Sequence, residues 1–274
     1  MKKTQYLKKT MLMSLVLAFV LGCLPMMGNA QNEPTVFAIV EFMKVKPDNE
    51  AKYLDIEKNV WKPLHQERIN QGKITGWVLY RILYTGTDDP YNYATVTLFD
   101  KAENLEDPWS GIEAQKILPK RDVDKDMIET SKSRDLVKSN LITRLDAVYP
   151  EGGPGAFKYI QVDYMKVKPG NEAAYVDVEK NIWKPIHNEF IKAGSRVGWS
   201  LWSQVFPGGS ALDHQFVTVN YFPDFQKIGV ADYTAAFGKA HAGKNIDEFD
   251  SKTANSRDLV RSELWQVLDV VMKP

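Results

Sequence analysis

The chain of 274 residues carries 35 basic and 35 acidic side chains and a single cysteine. Lys2, Lys3, Lys8 and Lys9 lie in the first ten residues, so the part after residue 30 holds 31 bases against 35 acids and lacks the basic surface that nucleic acid or an anionic membrane demands. With Cys23 as the sole cysteine, no intrachain disulfide is available, and thiolate catalysis or zinc-thiolate binding is excluded beyond residue 30.

The basic stretch MKKTQYLKK, the apolar run MLMSLVLAFVLGCLPMM and the small residues GNA read as an export leader over residues 1–30, with cleavage after Ala30. The alternative is a lipoprotein anchored at Cys23, since Val20-Leu21-Gly22-Cys23 resembles a lipobox. The apolar residues that continue from Leu24 to Met27 favour cleavage. Later apolar runs are strand-sized, so no membrane span is expected in the mature chain, which is placed in the periplasm or outside the cell.

Beyond the leader, β-branched and aromatic residues from Val36 to Val45 predict a strand that Pro47 ends. Asp48 or Asn49 caps a predicted helix running to about Gln71. Two strands follow, Ile74 to Tyr84 and Tyr93 to Phe99, joined through the turn Gly86-Thr87-Asp88-Asp89-Pro90. A helical region of some forty residues, broken near Pro108, Gly111 and Pro119, leads to a fourth strand from Leu141 to Tyr149. Pro150-Glu151-Gly152-Gly153-Pro154-Gly155 then reads as a linker.

After the linker the order starts again. Across Met43 to Glu67 and Met165 to Glu189, 18 of 25 aligned positions are identical, and EKNVWKPLHQE returns as EKNIWKPIHNE. Gly76-Trp77 matches Gly198-Trp199, and Ser133-Arg134-Asp135-Leu136-Val137 matches Ser256-Arg257-Asp258-Leu259-Val260. The domains expected are therefore residues 31–150 and 151–274, each a β-α-β-β-α-β unit of ferredoxin-like order. The first strand is apolar on both faces, with Ala38, Val40 and Phe42 on one and Phe37, Ile39 and Met43 on the other. Helices cover one face, and the sheet of the second unit is expected to cover the other, giving two facing sheets with helices outside.

In this order of elements the chain resembles the dimeric α+β barrel superfamily, which includes antibiotic-biosynthesis-type monooxygenases, haem-degrading monooxygenases and NIPSNAP-like proteins. The resemblance covers nearly all of the chain after the leader. It implies an α+β fold in which two ferredoxin-like repeats form an intramolecular dimeric α+β barrel, a pseudo-dimer within one chain, monomeric as a molecule. It also raises the prospect of an enzyme. In haem-degrading members the working residues are an asparagine on the first strand, a tryptophan on a later strand and a histidine on the second helix. Here those places offer Glu41, Trp77 on the second strand and His65 on the first helix, so the roles do not transfer.

The first helix carries the densest chemistry. At 100° per residue its apolar side chains fill one arc, and Glu57 falls inside it. A carboxylate facing a core must be paired, hydrogen-bonded or protonated. Glu179 repeats the conflict, and Arg134 and Arg257 are the basic partners available in both units. The alternative is a cavity between helix and sheet into which the glutamate projects. His65 and His187 lie at the margin of the same face, one turn beyond Trp61 and Trp183, with Trp77 and Trp199 opening the second strands. Glu57 and His65 are two turns apart, about 12 Å on an ideal helix, so only a bound molecule would bridge them. Pro63 and Pro185 predict a kink near Asn59 and its counterpart. The candidate ligand-binding residues are thus Glu57, Trp61, His65, Trp77 and Arg134, with Glu179, Trp183, His187, Trp199 and Arg257.

Acids also recur in mid-strand, at Glu41 and Asp163 on the first strands and Asp146 and Asp269 on the fourth, as polar groups inside a barrel or facing a cleft, or as guards of a sheet edge. Arg68 becomes Phe190, Tyr80 becomes Trp202 and Arg81 becomes Ser203, so two pockets would differ in charge and shape. No phosphate loop, dinucleotide fingerprint or HExxH occurs, and His65-x-Glu67 cannot chelate one ion from a regular helix, so no cofactor and no metal are expected. The reading is an exported barrel holding a small, partly apolar or aromatic ligand in a helix-sheet pocket. The alternatives are a cofactor-free monooxygenase or isomerase, a haem-related enzyme, or a protein acting through its surface.

Overall fold

The computed structural model describes residues 35–274, so the leader and Cys23 lie outside the described residues. The first half runs β1 (Phe37–Lys44), α1 (Glu50–Ile56), a π-helical turn (Glu57–Trp61), α2 (Lys62–Asn70), β2 (Gly76–Ile82), β3 (Tyr93–Phe99), α3 (Ala114–Ile117), α4 (Val123–Ser133) and β4 (Asp135–Val148). The second half runs β5 (Tyr159–Val167), α5 (Glu172–Val178), a π-helical turn (Glu179–Trp183), α6 (Lys184–Lys192), β6 (Gly198–Phe206), β7 (Phe216–Phe222), α7 (Tyr233–Ala240), α8 (Ile246–Ser256) and β8 (Arg257–Met272). Among the described residues no helix is long and apolar enough to cross a membrane.

The eight strands close one antiparallel barrel in the order β1-β3-β2-β8-β5-β7-β6-β4. An α+β barrel is what the resemblance implied; closure corrects the picture of two separate facing sheets, and the reason is the length of the fourth strands. β4 starts at Asp135, not Leu141, and is long enough to serve two partners in turn. Its first part pairs with β1 and its last part with β6 of the other half, with Asp146 opposite Leu201. β8 likewise pairs with β5 and then with β2, with Leu79 opposite Asp269. Because neighbours alternate in direction around the ring, β1, β2, β5 and β6 all end at the same rim, called here the upper rim.

Closure decides what the two apolar faces of each strand meet. Ala38, Val40 and Phe42 turn into the bore and pack with Val78, Tyr80, Val162, Tyr164, Trp202 and Trp265 from both halves. Met43 turns outward and packs with Tyr53, Trp77 and Phe99 under the first helix. Closure also corrects the reading of Asp146 and Asp269 as edge guards. Asp146 pairs with Lys184 at 2.6 Å and Asp269 with Lys62 at 2.6 Å, each tying a fourth strand to a helix of the opposite half.

The prolines produce a π-helical turn in place of a sharp kink. The amide of Lys62 donates to the carbonyl of Glu57, five residues back, so the helix absorbs one extra residue just before Pro63. In a regular helix Glu57 and His65 would be separated by roughly 80°, and one extra residue reduces that to roughly 20°. Both side chains therefore face the barrel.

Since the lysine-aspartate ties are partly exposed, each contributes about 0.5–1 kcal/mol. Asp146→Asn is expected to lower stability by that amount in urea unfolding, and a double-mutant cycle with Lys184→Met to return a coupling of similar size. A coupling near zero would remove these pairs from what holds the halves together.

Candidate functional site

Between the first helix and the barrel, the predicted residues form a layer of stacked rings. His65 lies against Trp77, with centroids 4.9 Å apart and planes 20° apart, and His187 lies against Trp199 at 5.0 Å and 14°. On the outer side Trp61 stacks on His65 at 6.2 Å, and Trp183 sits 6.2 Å from His187. Each outer tryptophan is fixed by its indole N–H, which donates to Thr130 Oγ1 at 3.2 Å in the first half and Thr253 Oγ1 at 3.1 Å in the second. The stack brings Trp61, His65 and Trp77 together, and they fill the space between helix and sheet rather than wall a pocket there. Among the ten predicted residues, Trp183 borders a cavity of about 200 Å³ reaching Tyr233, Phe237 and Phe249 on α7 and α8.

Each buried histidine is held by an arginine. Arg68 Nη1 donates to His65 Nδ1 at 2.9 Å, and Arg196 Nη1 donates to His187 Nδ1. A guanidinium only donates, so Nδ1 is the acceptor and the ring proton sits on Nε2. Burial, reinforced by the adjacent arginine charge, holds both imidazoles well below their usual pKa. These histidines are neutral Nε2–H donors rather than bases. The arginines were missed as a pair, because Arg68 sits on α2 opposite Phe190, while Arg196 sits before β6 opposite Ile74. The two replacements compensate, and reading them together would have revealed it.

Glu57 and Glu179 are buried beneath the same helices, at 3 % and 2 % exposure. Burial pushes Glu57 up to about 8, with Arg134 pulling down, Glu41 pushing up and the Tyr53 hydroxyl pulling down. Glu179 is pushed up to about 7 by burial, against Arg257 and Tyr175, with Asp163 adding to the rise. Arg134 and Arg257 act through their charge, and the buried Nε of each has no hydrogen-bond partner. Neither forms the close ion pair expected with its glutamate. Asp163 is instead satisfied by Gln161 Nε2 at 2.8 Å, Asn220 Nδ2 at 3.2 Å and the Ser262 hydroxyl.

A second candidate site lies inside the bore, where the sequence reading placed only packing. A chamber of about 370 Å³ runs along the barrel, walled by Val40, Phe42, Val78, Tyr80, Trp202 and Trp265 among others. At the upper rim it meets a polar network centred on Glu263, which accepts from Tyr91 Oη at 2.8 Å, Arg261 Nε at 3.0 Å, Tyr164 Oη at 2.9 Å and Trp265 Nε1 at 2.9 Å. At the other end Pro154, Phe157 and Met272 border it. The apolar residues on both faces of β1 required only that the second face be covered. What occupies the second face was fixed only by closure.

Among the described residues no cluster of three or more His, Cys, Asp or Glu side chains is placed to hold a metal ion. No protein-family model matches the chain, and no curated protein matches it in sequence. Solved structures share its fold. A proposed monooxygenase from Fusobacterium nucleatum is 13% identical, with a TM-score of 0.53 over 88% of this chain and 96% of that one. A second proposed monooxygenase, from Lactobacillus acidophilus, is 9% identical, with a TM-score of 0.51 over 88% of this chain and 97% of that one. The shared arrangement is a mixed α/β fold with an eight-stranded antiparallel barrel.

The raised carboxyls set the pH dependence of stability. Below about pH 4.5 both folded and unfolded chains keep these protons. As pH climbs towards 8 the unfolded chain releases them while the folded chain still holds them, so stability falls through that window. The double variant Glu57→Gln, Glu179→Gln is expected to match the parent at pH 4 and to exceed it by a few kcal/mol at pH 9 in urea unfolding. Equal slopes against pH in both proteins would mean that the carboxyls ionise in the fold as they do in the unfolded chain.

Proposed function

We propose that this protein binds a small, largely apolar or aromatic molecule, and that the barrel bore is the binding site. The observation that carries this reading is the chamber itself. At about 370 Å³ it is more than twice the size of an engineered apolar cavity of about 150 Å³ that takes up benzene, and its walls are aliphatic and aromatic. It therefore suits a molecule of two or three fused rings. The basic and apolar leader sequence supports binding after export, and the matching order of elements in the halves supports an origin by tandem duplication.

A second reading, a cofactor-free monooxygenase or isomerase, is favoured by Glu57 and Glu179. These buried carboxyls hold protons near neutral pH, as general acids do. Two proteins of the same fold are described as proposed monooxygenases. A haem-dependent version does not fit His65 or His187. An iron-ligating histidine donates its second N–H to an acceptor and offers iron the free nitrogen, whereas here arginine takes Nδ1 and leaves Nε2 protonated.

Naphthalene tests the binding reading. Calorimetry should show saturable uptake by the protein, weakened about tenfold or more by Val219→Phe or Val78→Phe, each of which adds bulk inside the bore. Trp183→Ala, in the outer helical cavity, should leave uptake unchanged. Uptake indifferent to the bore variants but lost with Trp183→Ala would move the site to the helices.

A further inference from the structure

We propose that the bore's ligand is a hydroxylated aromatic, of phenol or naphthol class, whose O–H donates to Nε2 of His214. This inference rests on the bore being the binding site. It assigns that site a polar pole, and hence a class of ligand, that its apolar walls do not specify.

His214 lies at the upper rim, lines the chamber and is 3 % exposed. Its Nδ1 sits 2.6 Å from Asp213 Oδ1, and Arg261 Nη1 donates to the other oxygen of that carboxylate at 2.9 Å. An ionised carboxylate can only accept, so the ring proton is on Nδ1 and Nε2 presents its lone pair. This is the opposite tautomer to His65 and His187. Nε2 is buried and has no hydrogen-bond partner.

The neighbouring donors are already committed. The hydroxyls of Tyr91 and Tyr164 and the indole N–H of Trp265 all donate to Glu263. Tyr164 meets the His214 ring edge-on, with centroids 4.7 Å apart, while spending its proton elsewhere. Arg261 is divided between Glu263, Asp213 and Tyr91. Lys138 holds its ammonium over the Phe42 and Tyr91 rings, at 4.4 Å and 5.0 Å. Nε2 thus has no donor from the protein: the hydroxyls, the indole and the guanidinium beside it are spent on other acceptors and Lys138 is held over the rings, so a molecule in the chamber can supply one.

Burial is the largest influence on the His214 pKa and lowers it. Arg261 and Lys138 act in the same direction and Asp213 opposes them, so the ring stays an unprotonated acceptor at neutral pH. In the first half the aligned position is Tyr91, whose hydroxyl is a donor already used. Gln204 Oε1, near the end of β6, is a second buried acceptor without a partner lining the chamber, so both unmet acceptors lie at the upper rim and would orient a ligand along the bore.

The test compares 2-naphthol with naphthalene and 2-methoxynaphthalene, which share the ring system but offer no proton. The unaltered protein should bind 2-naphthol about tenfold or more tightly than either, because a site holding an unmet acceptor discriminates against ligands that leave it unmet. His214→Phe keeps a ring and removes the nitrogens; it should bind all three alike, with naphthalene affinity within about twofold of the parent. Asp213→Asn, which no longer holds the proton on Nδ1, should erode the 2-naphthol preference while leaving naphthalene binding alone. The excited-state emission of bound 2-naphthol should be that of the naphtholate in the parent and of the neutral molecule in Asp213→Asn. Equal affinity of the parent for all three ligands would overturn the proposal and leave the bore reading standing, as would a 2-naphthol preference that survives His214→Phe. Failure of the parent to bind any of them would overturn both. Should His214→Phe not fold, the ligand series on the parent and Asp213→Asn still decide.

Discussion

The exchange of the two long fourth strands is the constraint on which the rest of this structure depends. β4 and β8 each satisfy a strand of their own half with one end and a strand of the opposite half with the other. Backbone groups that would otherwise form sheet edges are thereby paired, and the inner faces of all eight strands line one bore. A barrel closed this way has an interior that belongs to neither half alone. Phe42 and Tyr80 meet Trp265 there, with centroids 5.7 Å and 5.4 Å away.

Outside the barrel, burial without close pairing governs the helical layer. The helices press a glutamate and a histidine onto the sheet in each half, and low dielectric works against charge on both. The result is a carboxyl whose pKa is raised and a neutral imidazole beside an arginine that keeps its charge. That guanidinium is steadied by rings rather than by a carboxylate. Arg68 lies 4.0 Å from the Trp109 ring, and Arg196 lies 4.5 Å from Phe190 and donates to Tyr233 Oη at 2.6 Å. The same electrostatic arrangement is built from different backbone positions in the two halves, so the arrangement, more than any single residue, is what the fold keeps.

The bore is where the halves part company. Lys138 and Asn140 in the first half align with Arg261 and Glu263 in the second, and Tyr91 aligns with His214. Replacing asparagine by glutamate at that rim gathers three donors and a guanidinium around one carboxylate, and this leaves the histidine beside it with an acceptor that nothing fills. The outer layer is nearly symmetric and its rings are packed against one another. The inner one is asymmetric and encloses space, which is the reason for placing the ligand inside.

Much of this was written locally. β3 spans Tyr93–Phe99 as predicted, the first helix covers nearly its predicted length, and the conflict of a glutamate on an apolar face was visible from periodicity alone, because these features depend on backbone geometry within one segment. The recurrence of Trp61, His65 and Trp77 at matching positions was visible in the sequence, whereas their stacking was not. The sequence by itself determined the order of the elements and the apolar faces of the first strand and the first helix. Only the tertiary structure decided that the second apolar face of every strand surrounds a chamber, that Asp146 meets Lys184, that arginine rather than glutamate touches the helix histidines, and that His214 stands bare at the rim. Those outcomes depend on which strands pair across the halves and on which buried groups find a partner at hydrogen-bond distance, and residues far apart in the chain settle both.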